Sequence, residues 1–144
     1  MTHAAHPAVN AFISGWNAHD PDAVRAAFVS DGRIVDPMYP DGASGPAIAA
    51  SVRSALDRLH DVRFTVTSEL PAGPERVTFE WVMRAAVAAP DGRRVPVTLA
   101  GCDVCDVRGD RIVELRGYFD RAAIPDQVAA ASRSAVASVA GSAG

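Results

Sequence analysis

The sequence predicts an α+β fold, with helices in its N-terminal half and an antiparallel sheet after them. Three observations carry this. Before residue 60, apolar residues recur at helical spacing. After it, they alternate with polar residues. Clusters of Pro, Asp and Gly separate the alternating stretches. Helices set to one side of an antiparallel sheet make an α+β arrangement.

Val9, Phe12, Ile13 and Trp16 fall at i, i+3, i+4 and i+7 and form one helical face. Asp20-Pro21-Asp22 supplies an N-cap, a proline at the first helical position and an early acid. A short second helix then runs through Val24 and Phe28 and is broken by Ser30-Asp31-Gly32. Arg33 to Asp36 reads as a short strand ended by Pro37. Met38 to Gly45 is rich in Pro, Asp, Gly and Ser and reads as a loop. A third helix starts near Pro46, with Ile48, Val52, Leu56 and Leu59 on one face.

Four strands in antiparallel succession follow. Val62, Phe64 and Val66 alternate with Arg63, Thr65 and Thr67, and a turn spans Pro71 to Pro74. Val77, Phe79, Trp81 and Met83 alternate with Thr78, Glu80 and Arg84. Pro90-Asp91-Gly92 is a hairpin signal before a long strand from Val95 to Val107. After Arg108-Gly109-Asp110 the last strand runs from Ile112 to Phe119. Residues 1–128 read as a single domain. Residues 129–144 are an Ala/Ser-rich tail, expected to be a frayed helix or disordered.

Composition narrows the function. The chain has 144 residues, enough for one domain with a real core, and a formal net charge of −3. Its charges are interspersed, with no basic stripe for nucleic acid. Every basic residue is Arg, so a Schiff-base lysine is excluded. No apolar run is long enough for a membrane helix, and residues 1–7 lack the pattern of a secretory leader, so a cytoplasmic location is expected. Cys102 and Cys105 form a CxxC. On a strand, residues three apart face opposite sides, and the four histidines lack ligand spacing. No metal and no cofactor are expected.

The stretch from Arg111 to Asp120 carries the most chemistry. A strand ends on a carboxylate directly after Tyr118 and Phe119, with Gln127 following. A carboxylate beside rings loses hydration, which raises its pKa toward values useful for acid–base work. The alternative is that Asp120 caps the next helix. The strand, its Tyr-Phe-Asp ending and Gln127 resemble the last strand and turn of SnoaL-like polyketide cyclases and limonene epoxide hydrolases, within the nuclear transport factor 2-like superfamily. The order of elements over residues 7–128 resembles that superfamily too. The resemblance implies a cone-shaped, strongly curved, mostly antiparallel sheet with three helices in its concavity. It also implies that Asp120 acts as acid–base in the cone, with Gln127 beside it. Epoxide hydrolases of this type use an Arg-x-Asp pair on a middle strand, and Phe79 to Arg84 contains none. Glu80 and Arg84 form an ion pair, or else a solvated or dimer-facing stripe.

Asp36 is the second candidate. The segment Arg33 to Pro37, followed by Gly45 and the helix at Ile48, resembles the part of ketosteroid isomerases that bears the catalytic base. The same Asp-Pro also fits a turn in which Asp36 bonds nearby amides. The two oxyanion donors that such isomerases use, a helix Tyr and a protonated strand Asp, fall at Phe12 and Ala100.

Trp16, Met38, Tyr39, Cys102, Tyr118 and Phe119 are candidate lining residues. Tyr118 and Phe119 point to opposite faces, so one of them lines the pocket. The reading is a cofactor-independent cyclase, isomerase or hydrolase acting on a small apolar molecule. The alternative is a non-catalytic binding or accessory protein of the same fold. Apolar residues on both faces of the long strands predict a homodimer through the sheet.

Overall fold

The structure, a computed structural model, describes residues 5–142. Met1–Ala4, read above for a leader, and the last two residues of the tail lie outside that range. In chain order the elements are α1 (Pro7–Asn17), α2 (Pro21–Ala26), β1 (Phe28–Asp36), β2 (Tyr39–Ser44), α3 (Pro46–Arg58), β3 (His60–Pro71), β4 (Arg76–Ala88), β5 (Arg94–Arg108), β6 (Arg111–Tyr118) and α4 (Ala123–Ser142). The strands form one curved, unclosed sheet in the order β2-β1-β6-β5-β4-β3. All neighbours are antiparallel except β1 and β6, which run parallel.

The helix starts follow the chain's chemistry. Pro7, Pro21 and Pro46 each open a helix, where their missing N–H costs nothing. Asp20 Oδ1 accepts from the Asp22 and Ala23 amides at 3.1 Å. His6 Nδ1 accepts from the Ala8 amide at 3.1 Å. Val9, Phe12 and Ile13 of α1 and Ile48 and Val52 of α3 are buried against the inward residues of the strands. Each such side chain contributes about 1.5–3 kcal/mol through removal from water. The far end of α1 is clipped to the open edge of β3. Asn17 accepts from the Phe64 amide at 2.7 Å and donates to the Phe64 carbonyl at 3.0 Å.

Two expectations are corrected. Ser30-Asp31-Gly32 does not end a helix; it lies inside β1, where the register with β6 slips between Phe28 and Arg33. The bulge absorbs the turn-forming residues, and Phe28 belongs to the strand. The expected loop from Met38 to Gly45 contains β2, which makes a hairpin with β1. Pro40 is tolerated because β2 is an edge strand, where one side needs no donor. The Ala/Ser-rich tail continues as α4 through Ser142, with Ile124, Val128 and Ala131 packed against the core. Among the described residues no helix is long and apolar enough to cross a membrane.

Candidate functional site

Strand parity decides which side chains meet on the concave face. Along β5 the inward positions are Val95, Val97, Leu99, Gly101, Asp103, Cys105 and Val107. All are apolar or glycine except Asp103. Among the described residues it is the one charged or polar side chain in the buried set, at 5 % exposure. Its cross-strand partner on β6 is Gly117. A Cβ built there would lie 3.0 Å from Asp103 Oδ1 and 3.3 Å from Asp36 Cβ. The missing side chain therefore makes the space in which the two acids approach each other.

Asp36 arrives from the end of β1. Its Oδ1 accepts from the Met38 amide at 2.8 Å and the Tyr39 amide at 3.1 Å. The β1–β2 turn thus uses one oxygen of Asp36 and holds the side chain beside Gly117. The turn and base readings of Asp36 are compatible, since Oδ2 takes no part in these bonds. Asp36 is half-buried and Met38 next to it is 40 % exposed.

Trp81 of β4 closes the other side. Its Nε1 donates to Asp103 Oδ1 at 3.0 Å. The indole lies over Gly101, where any Cβ would collide with the ring. Phe64 packs on Trp81 at 5.2 Å between centroids, Phe119 at 6.1 Å, and Trp16 packs on Phe64 at 5.3 Å. Burial pushes the Asp103 pKa up to about 7; the indole hydrogen bond opposes this and the charge of Asp36 adds to it. The ion pairs of the described residues, such as Arg76–Asp106 and Arg116–Glu114, involve neither acid. With no cation against it, a buried carboxyl favours its neutral form.

The predicted site residues divide. Asp36, Trp16 and Phe119 belong to this concave cluster. Asp120 does not show the expected partial burial. It is exposed, and its Oδ1 accepts from the Ala122 amide at 2.9 Å, closing the turn that leads into α4. Tyr118 is 57 % exposed and pairs across strands with Cys102, on the face away from Asp103 and Gly117. Cys102 and Cys105 face opposite sides of β5, and burial pushes both thiols up. Tyr39 lines a separate shallow cleft between β2 and α3. Gln127 bonds both the amide and the carbonyl of Thr98, at 2.9 and 2.7 Å, on an edge of β5 that β6 is too short to cover. Glu80 and Arg84 are exposed on the outer face. A wider cleft of about 480 Å³ near the β3–β4 and β5–β6 turns contains neither Asp36 nor Asp103. Among the described residues no three His, Cys, Asp or Glu side chains converge as a metal-binding group.

Sequence reasoning missed Asp103 and the role of Trp81. It placed the strand acid of the isomerases at Ala100, which is exposed on the outer face. The usable signal was parity. Asp103 shares the parity of Val95, Val97 and Leu99, and it stands as the only acid in that inward series.

A curved, unclosed six-stranded sheet with helices packed on it is the fold of the nuclear transport factor 2-like class. Within that class the chain belongs to the SnoaL-like domain family, whose family model matches residues 9–115. No curated protein sequence matches it. Solved structures share the fold. A ketosteroid isomerase-like-fold protein of Catenulispora acidiphila, in complex with trimethylamine, is 23% identical with a TM-score of 0.76, covering 85% of this chain and 92% of that one. A protein named as a polyketide cyclase, from Xanthomonas campestris pv. campestris, is 24% identical with a TM-score of 0.67, covering 84% and 93%. An LEH-like epoxide hydrolase of M. tuberculosis is 21% identical with a TM-score of 0.68, covering 90% and 92%.

Proposed function

We propose that this SnoaL-like protein is a cofactor-independent acid–base enzyme acting on a small, largely apolar carbonyl compound, with Asp36 and Asp103 as the working pair. The observation that carries this reading is the placement of Asp103, buried, raised to about 7 and set beside Asp36 across Gly117. Two acids in unlike surroundings divide acid and base roles between them. Asp36 takes a proton from the carbon next to a carbonyl. Neutral Asp103 donates a hydrogen bond to the carbonyl oxygen as it gains charge. The enol so formed is reprotonated elsewhere or attacks a second carbonyl, which gives an isomerisation or an aldol-type ring closure. This assignment moves the acid–base role from Asp120 to Asp103.

Between the enzymatic subtypes, the strand bearing the buried acid favours cyclase or isomerase chemistry over epoxide hydrolysis. Two residues before Asp103 stands Gly101, so no Arg-x-Asp pair exists there. Against the binding-protein alternative, two carboxylates converge where a mere apolar receptor would carry methyls and rings. The absence of a nearby cation favours uncharged ligands over anions, which would lose several kcal/mol of hydration without a partner.

Proton exchange tests this even while the natural substrate is unidentified. A panel of polycyclic and alicyclic ketones is incubated with the protein in D2O, and α-deuteration is followed by NMR. At least one member is expected to exchange faster than in buffer. Asp36→Asn and Asp103→Leu should each lower that rate by about 100-fold or more. Exchange at buffer rates across the panel, or unchanged rates in both variants, would refute the proposal.

A further inference from the structure

We propose that Trp81 is a positioning residue that fixes Asp103 Oδ1 as a hydrogen-bond acceptor and so leaves Oδ2 as the oxygen that carries the proton. This rests on the acid–base reading of Asp103 and adds the direction of its donation. The indole N–H is a donor and nothing else. At 3.0 Å from Oδ1 it requires a lone pair there. The carbonyl oxygen of a neutral carboxyl is the better acceptor, so the hydroxyl falls on Oδ2. A Ser, Tyr or Asn partner could reverse its role; Trp81 has no such freedom.

The surroundings keep the indole in place. Phe64 and Phe119 meet it at interplanar angles of 64° and 62°, the first from β3 and the second just past β6. Gly101 beneath it offers no side chain, and any Cβ at that position would strike the ring. Elements from both sides of β5 therefore converge to aim one N–H. Asp36 is the charged group bearing on Asp103 from β1. On β5 itself Cys105 stays protonated, because burial pushes its thiol up. The consequence is a site with one fixed donor. It selects a neutral acceptor oxygen, as in a ketone or ester, over an ammonium ion, which would need the carboxylate.

Spectroscopy tests this independently of turnover. Asp carboxyl carbons and the Trp81 Nε1–H are followed by NMR as a function of pH, with Asp103→Asn providing assignment. In the wild type the indole N–H resonance is expected to shift with the same midpoint as the Asp103 carboxyl. In Asp103→Asn that inflection should vanish. Trp81→Phe should move the Asp103 midpoint upward by about one pH unit, because a hydrogen bond to a charged group outweighs one to a neutral group. Gly101→Ala, which keeps the indole but displaces it, should move the midpoint the same way. Melting curves check that both variants fold. An indole resonance that stays flat while Asp103 titrates would overturn the proposal, as would an unmoved midpoint in both variants. Failure of ketone exchange with this coupling intact would instead sink the functional reading alone.

Discussion

Asp103 stabilises the fold only while it keeps its proton. Its pKa rises from 3.8 to about 7 on folding, so the native state holds a proton that the unfolded chain releases. The stability lent by this group is full below about pH 4 and is lost as pH climbs through 7. A rise of that size corresponds to at most about 4 kcal/mol across the window. Asp103→Asn keeps the shape and cannot ionise. Urea unfolding at pH 5 and pH 8 should show the variant gaining on the wild type at the higher pH; a constant difference would count against the shift. Gly117→Ala makes a second test at this scale. Its Cβ would press on Asp103 Oδ1 and Asp36 Cβ, and overpacking of this kind costs about 1–3 kcal/mol. Part of this was legible. Asp36 was marked by its Asp-Pro at a strand end and Trp16 by its place on the apolar face of α1, whereas alternation left Tyr118 and Phe119 as alternatives. Asp103 was not legible because an acid inside an alternating strand reads locally as a solvated position, and only its shared parity with Val97 and Leu99 turns it inward. The prominence of Asp120 came from its neighbours in sequence, yet a chain leaving a sheet turns its next polar residue toward solvent and the coming helix.

At the scale of elements, periodicity located α1, α3 and β3 to β6 because each has one face buried and one wet. It found only the second half of β1, from Arg33 to Asp36, and missed β2, where the backbone is satisfied by pairing and not by burying an alternating face. The outward residues of β1 are interrupted by a bulge, and β2 is an edge strand built from turn-forming residues. Only the partner strand makes them strands, and partners are not written locally. The same holds for α4, whose Ala/Ser composition offers little to bury. Gln127 anchors it by using its amide as a surrogate strand, bonding Thr98 on both backbone groups and the Ala123 carbonyl at 2.9 Å. Gln127→Ala should leave the exposed Thr98 amide to water and cost about 0.5–1.5 kcal/mol. Hydrogen exchange will report it as faster exchange at Thr98 and along α4, with β3 and β4 unchanged. Uniform acceleration throughout the sheet would show instead that Gln127 supports the global fold.

For the whole molecule, the one-sided placement of the helices has a consequence for assembly. α1 to α3 cover the inner face of the sheet. The outer face carries Val82, Ala100, Cys102, Val104 and Tyr118 in adjacent register across β4, β5 and β6. Tyr118 is 57 % exposed and Ala100 is exposed as well. Charges flank this strip, and Glu80 and Arg84 form no ion pair within the chain among the described residues. We propose that a second copy, related by a two-fold axis, covers this face. In an isologous contact residue i meets j and j meets i, so Glu80 of each copy would meet Arg84 of the other while the apolar strips would cover each other. An interface burying about 1,200–2,000 Å² in total would hold such a dimer at micromolar concentration. Light scattering at that concentration should therefore give twice the chain mass. Ala100→Arg places a charge in the middle of the strip, far from Asp103 on the inner face. It should give monomers whose Asp103 titration is unchanged. A wild-type protein of single-chain mass would refute the dimer and leave the outer face as a solvated surface, with the acid pair beneath it unaffected.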